Sequence, residues 1–190
     1  RPDNATDAQL NAVMNFKSTF KTKTGISLDF VYESDKNAEN DDFEIVIGKC
    51  LHPESTKIYK DIKLDEYFYG VVGNKIVIAA GSDSGLNKAI NGFMIEVVGK
   101  SLSEDKSTLN VFVSQNYYHK VQYPLDDFKI GTVSLRDFSI VYNSDGLYSE
   151  ELMAIKLKHI FQNQTGYIFH TSMSKRMFLI RLLSCQFKSQ

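Results

Sequence analysis

The 190-residue chain is 43% hydrophobic and 24% charged, enough for one ordinary domain, or one small domain plus part of another. Its 22 Lys and Arg against 23 Asp and Glu give a formal net charge of -1. That balance excludes the global basic field that nucleic acid or an anionic membrane surface would need. No apolar run approaches the ~18 residues of a membrane-crossing helix; the longest, Lys75 to Ala80 and Phe178 to Leu183, are strand-sized.

The first expected element is a helix from Asp7 to Lys23. Ala12, Val13, Phe16 and Phe20 fall on one face, while Asn11, Lys17 and Lys21 lie outside it. Thr6 or Asp7 can cap its start, and Gly25 can take the left-handed conformation that ends it. Ile26 to Phe30 then alternates apolar and polar, the period of a half-buried strand. Glu33 to Asp42 reads as a loop, and Phe43 to Gly48 as a buried strand rich in β-branched residues. A short helix or connection opens at His52-Pro53-Glu54-Ser55. Tyr67 to Val72 and Lys75 to Ala80 flank Gly73-Asn74, a two-residue hairpin link that favours positive φ. Gly81 to Gly85 leads into a second helix, Ser84 to Val98, with one stripe of Leu86, Ala89, Ile90, Phe93 and Val97. Residues 99 to 107 look like a linker, and Leu109 to Ser114 like a further strand.

The pattern then restarts. Phe138 to Tyr142 reads as a strand, Ser149 to Gln164 as a helix, and Gly166 as its stop. Aligning Gly166 with Gly25 (166 − 25 = 141) places Lys158, Phe161 and Thr165 on Lys17, Phe20 and Thr24 without a gap. Met153, Ala154 and Leu157 then stand where Ala12, Val13 and Phe16 stand. One shared register for these matches implies an internal repeat. The expected fold is α/β of the α+β type: a mixed or antiparallel sheet with helices packed on one face, followed by a partial repeat. The domains would be 1–107, a connecting 108–137 with an extra strand, and an incomplete second copy over 138–190.

A helix ending in Thr24-Gly25, the strand Glu44-Ile45-Val46-Ile47-Gly48 and the following Pro53-Glu54-Ser55 resemble a known domain. It is the N-terminal α/β domain of bacterial α-glucuronidases, found also as the non-catalytic second domain of β-hexosaminidases. Asp65-Glu66-Tyr67, the hairpin ending in Ile76 to Ser82 and the helix near Gly85 continue the likeness. Asp137 to Tyr142, with a helix and Thr165-Gly166, looks like the same domain's opening. The ending departs from the pattern: Ser174 to Arg181 stands where an acidic loop and another Glu-Ile-x-Ile-Gly strand would follow. The resemblance implies a non-catalytic accessory module packed beside a catalytic barrel, its partners being adjacent domains of a larger parent protein and its setting extracellular or periplasmic.

No residue set points to catalysis or to a cofactor. Asp65-Glu66 is similar to the acid pair of hexosaminidases, but it precedes a hairpin and has no barrel to raise the acid's pKa. Gly81-Ser82-Asp83-Ser84-Gly85 could offer helix-start amides to a phosphate, yet it lacks the P-loop lysine and reads better as a cap. His52, His119, His159 and His170 are scattered, and Cys50 and Cys185 lack metal-ligand or redox spacing, so no metal site is expected. The local lysine clusters read as solvated faces. The two Asn-x-Thr sequons, at Asn4 and Asn163, are adequately explained by chance. The chain begins at Arg1 without an initiator Met or a signal-peptide pattern, as expected of a processed or excised product. One segment has ligand-like composition: Tyr117, Tyr118 and Tyr123, with His119 and Lys120 between them. Tyrosines can stack on the apolar C–H faces of sugars, which makes a carbohydrate-binding surface the alternative function. The other reading is a linker whose tyrosines pack on the first unit.

Overall fold

The computed structural model describes residues 5–31, 44–104, 116–143, 145–169, 171–174 and 179–182. The chain divides into two compact units, Arg1–Val121 and Gln122–Gln190.

The first unit opens with α1 (Asp7–Thr24). Thr6 caps it through a reciprocal pair, its hydroxyl accepting from Gln9 N–H and its own N–H donating to the Gln9 side chain. A mixed sheet follows, built from β1 (Ile45–Ile47), β2 (Tyr67–Val72), β3 (Lys75–Ala80) and β4 (Tyr117–His119). Its order is β1-β3-β2-β4; β1 and β3 are parallel, and the other two pairings are antiparallel. The hairpin stands as expected, with Gly73 at φ 65° in the turn. Strand alternation splits the apolar side chains between two layers. Ile47, Tyr69, Ile78 and Ala80 face α1 and α3 (Asp83–Gly92), packing with Phe16, Phe20, Leu86, Ile90 and Phe93. Val46, Phe68, Val77 and Ala79 face the other way, toward Cys50, Ile62 and, on α2 (Pro53–Tyr59), Ile58 and Tyr59. Val77, Ile78 and Phe93 are wholly buried, and each such side chain contributes about 1.5–3 kcal/mol of hydrophobic stabilisation. The two long helices therefore share one face of the sheet, as expected, and short α2 adds a third layer on the opposite face.

Three details differ from the sequence reading. Ile26 to Phe30 forms no strand; Leu28 and Phe30 still pack on the core, so the alternation reported burial rather than a ladder. The second helix does not stop at Val98. It widens into a π-helical turn, Phe93–Gly99, that buries Phe93, Met94, Val97 and Val98, and continues as α4 (Lys100–Glu104). Residues 99–104, expected in a linker, are thus helical, and Leu102 packs on the core. Finally, Tyr117–His119 is the edge strand of the first sheet and not part of a connection. The expected strand at 109–114 lies outside the described residues.

The second unit carries a hairpin of β5 (Lys129–Ile130) and β6 (Val133–Ser134), then β7 (Phe138–Asn143), α5 (Tyr148–Thr165), β8 (Thr171–Ser174) and β9 (Leu179–Leu182). β7 is central in its sheet, parallel to β8 and antiparallel to β9. Ile140 and Tyr142 pack on Ala154, Leu157 and Phe161 of α5. Helices α1 and α5 each have 18 residues, and both ends are offset by the same 141 (148 − 7 and 165 − 24). Their stops also match in atomic detail. Thr24 and Thr165 each donate a hydroxyl hydrogen bond to the carbonyl four residues back, at 2.8 Å, and each accepts the N–H two residues on. Gly25 and Gly166 adopt φ 75° and 71°, a left-handed conformation that a side chain disfavours. The elements after the stops differ: β8 pairs with β7, whereas residues 26–31 form no strand among the described residues.

Candidate functional site

The first unit gathers its most unusual groups along the β2–β4 edge. Glu66 is 2% exposed although it carries a carboxylate. The turn from Lys63 to Glu66 puts it there: Glu66 N–H donates to the Lys63 carbonyl, and Gly81 N–H donates to the Glu66 carbonyl. Its side chain then collects donors from both sides of the edge. Oε2 accepts Lys63 N–H at 3.0 Å and the Tyr118 hydroxyl at 3.3 Å; Oε1 accepts Val121 N–H at 3.3 Å. Lys120 Nζ stands 4.0 Å from Oε2 and 3.8 Å from the centre of the Tyr118 ring. Burial, followed by the neighbouring Glu66 charge, raises the Tyr118 hydroxyl pKa, so the phenol stays a donor. Glu66 thus fastens Tyr118 of β4 and the backbone of Val121 to the first sheet. Asp65, its neighbour in the acid pair, is exposed. Glu66 accepts from two backbone N–H groups and one phenol.

The opposite face of the same edge carries an aromatic ladder. Register places Tyr69 across from Tyr117 and Tyr67 across from His119. Each pair stacks: ring centres are 5.2 Å apart at 23° for Tyr69–Tyr117 and 4.7 Å at 18° for Tyr67–His119. Behind them, Tyr69 meets Phe93 edge-on at 6.4 Å. Gly92 makes room for it, since a Cβ there would lie 2.6 Å from the Tyr69 ring. Asn116 closes the near end, its amide exchanging two hydrogen bonds with the Val71 backbone, N–H to Oδ1 at 2.6 Å and Nδ2–H to carbonyl at 2.9 Å. Burial and the Glu96 charge raise the Tyr69 pKa, and burial together with Tyr117 raises that of Tyr67. The Tyr67 and Tyr69 hydroxyls therefore keep their protons at physiological pH. Tyr117 is 43% exposed.

Of the three tyrosines singled out in the sequence, two lie on β4 and the third in the second unit. Tyr117 and Tyr118 project to opposite faces of β4, as neighbours on a strand must. Tyr123 belongs to the second unit, where its ring lies against Gly166 so closely that a Cβ there would meet it at 2.4 Å. The sequence did not single out Glu66 as an anchor or Tyr67 and Tyr69 as partners of Tyr117 and His119. Alternation in Tyr67-Phe68-Tyr69 and Tyr117-Tyr118-His119 is the signal that could have paired them.

Several of the remaining candidates have structural partners. Ser82 caps α3 by accepting Gly85 N–H, and Asp83 accepts hydrogen bonds from the Thr6 hydroxyl at 3.0 Å and Gln9 Nε2 at 2.8 Å. The helix start that could have met a phosphate therefore holds a carboxylate and ties α1 to α3. At the other end of the sheet, Lys75 is 3% exposed and ion-paired with Glu44, with His52 Nδ1 at 3.4 Å from its Nζ. Nearby on α2, Glu54 buries an oxygen, Oε2, that bonds to none of the described residues. Cys50 is buried with its thiol 3.8 Å from the Gly48 carbonyl. In the second unit, Asp127 accepts hydrogen bonds from Ser134 and Tyr167 hydroxyls at 2.7 and 3.0 Å, which lower its pKa and hold the β5–β6 hairpin to the segment after α5. His159 is exposed on α5, and His170 lies outside the described residues. Among the described residues no group of three or more His, Cys, Asp and Glu could hold a metal ion, and no helix is long and apolar enough to cross a membrane. No family model and no curated protein matches the chain.

Proposed function

We propose that the chain is a non-catalytic structural module of a carbohydrate-active, glycoside-hydrolase-like protein, serving to buttress an adjacent domain. The observation that carries this reading is the state of Glu66. The one buried carboxylate of the acid pair is spent on Lys63 N–H, Val121 N–H and the Tyr118 hydroxyl, so it fastens an edge strand. A mixed sheet with α1 and α3 on one face is the architecture that the family resemblance implies, and it supports the same reading. The common offset of 141 and the matching Thr-Gly stops support a partial second copy in the second unit. Incubation with a panel of chromogenic glycosides tests the proposal. No turnover is expected; turnover that disappears in a folded Glu66→Gln variant would overturn it. A second reading, carbohydrate binding, is favoured by the exposed ring of Tyr117 on its stacked support.

A further inference from the structure

We propose that Tyr117 and His119, backed by Tyr69 and Tyr67, form a stacking platform for a neutral sugar. The inference rests on the carbohydrate-binding reading and narrows it to one face of β4, dropping Tyr118 and Tyr123. β4 ends the order β1-β3-β2-β4. Its rings stack on those of β2 by one side, so their other sides turn toward the sheet edge. Residues i and i+2 of a strand stand ~7 Å apart on one face, so the two outer rings lie side by side. Tyr69 is wedged between Tyr117, Phe93 and the bare backbone of Gly92, which holds the platform in place before any ligand arrives.

The chemistry around the rings selects the ligand class. Phenol hydroxyls and an imidazole border an apolar surface, which matches a pyranose with one C–H face and a rim of hydroxyls. Glu96, whose charge acts on Tyr69, is paired with Lys100 at 2.5 Å, so a cation offsets that charge. Lys120 lies over Tyr118 on the other face and gives the platform no cation for a phosphate chain. A quaternary ammonium would need rings arranged around a void; here they are stacked flat on one another.

Calorimetric titration of the full chain with neutral hexose, pentose and N-acetylhexosamine oligomers provides the test. The wild type should bind at least one of them saturably. Tyr117→Ala should weaken that binding about fivefold or more, Tyr117→Phe should keep it within about twofold, and Tyr123→Ala should leave it unchanged. Circular dichroism of each variant separates lost binding from lost fold; if Tyr117→Ala does not fold, His119→Ala replaces it with the same expected weakening. Binding that survives Tyr117→Ala and vanishes in Tyr123→Ala would keep carbohydrate as the ligand and overturn the platform. No saturable binding to any neutral oligomer, or binding to a nucleic acid instead, would overturn the platform and the carbohydrate-binding reading together.

Discussion

Replacing Glu66 by Gln keeps the shape of the side chain and removes one acceptor, which makes it a sharp probe of what the buried carboxylate does. If the new amide nitrogen takes the place of Oε1, Val121 N–H faces a donor. If it takes the place of Oε2, Lys63 N–H does; the Tyr118 hydroxyl can rotate and accept, but the backbone cannot. At least one backbone N–H in this 2%-exposed site therefore loses its acceptor. That loss costs about 1–3 kcal/mol, because the donor's desolvation is no longer compensated. A loss of ~2 kcal/mol lowers Tm by roughly 4–8 °C in a chain of this size. Urea melts followed by circular dichroism and tyrosine fluorescence would report it, the chain having 10 Tyr and no Trp. Asp65→Asn, at the exposed neighbour, should change stability by less than about 0.5 kcal/mol. The reasoning is refuted if Glu66→Gln is that mild, or if Asp65→Asn costs as much.

Further outcomes follow from single groups. Burial raises the Tyr59 pKa to about 12 from the ordinary 10, so between those values the folded chain keeps a proton that the unfolded chain gives up, and stability falls as pH rises through that window. Tyr59→Phe should flatten this alkaline decline, read from denaturant melts across the window, while costing something at neutral pH because Ala80 N–H loses its acceptor. Gly25→Ala meets no atom within 4 Å and should cost about 1 kcal/mol from left-handed strain alone, whereas Gly166→Ala adds a 2.4 Å approach to the Tyr123 ring and should cost clearly more. Equal thermal shifts for the two would contradict the described contact.

The elements with strong local signals were legible in the sequence. α1 announced itself by Phe16 and Phe20 at helical spacing and by the Thr24-Gly25 stop; the hairpin by Gly73-Asn74; α5 by its match to α1. What escaped depends on tertiary contact. Ile26 to Phe30 alternates like a strand, but the alternation marks Leu28 and Phe30 as packing on the core and does not by itself make a strand. Residues 93–104 stay helical past Gly99 because Val97, Val98 and Leu102 find a core to cover. Tyr117 to His119 is three residues long, too short to register as a strand without Tyr67 to Tyr69 beside it. Glu66 reads in the sequence as half of an acid pair. Its burial is set by a turn and by a partner, Tyr118, that lies 52 residues away.

Amide and aromatic NMR spectra of the full chain, titrated with the neutral oligosaccharide that calorimetry selects, test the central claim of a carbohydrate-linked module without catalysis. The account predicts progressive, saturable shifts at Tyr67, Tyr69, Tyr117 and His119, little change at Tyr123, and sugar signals that stay those of the intact oligomer over days. Signals of cleaved sugar growing with time, or an unchanged spectrum at Tyr117 and His119 while other residues shift, would contradict it.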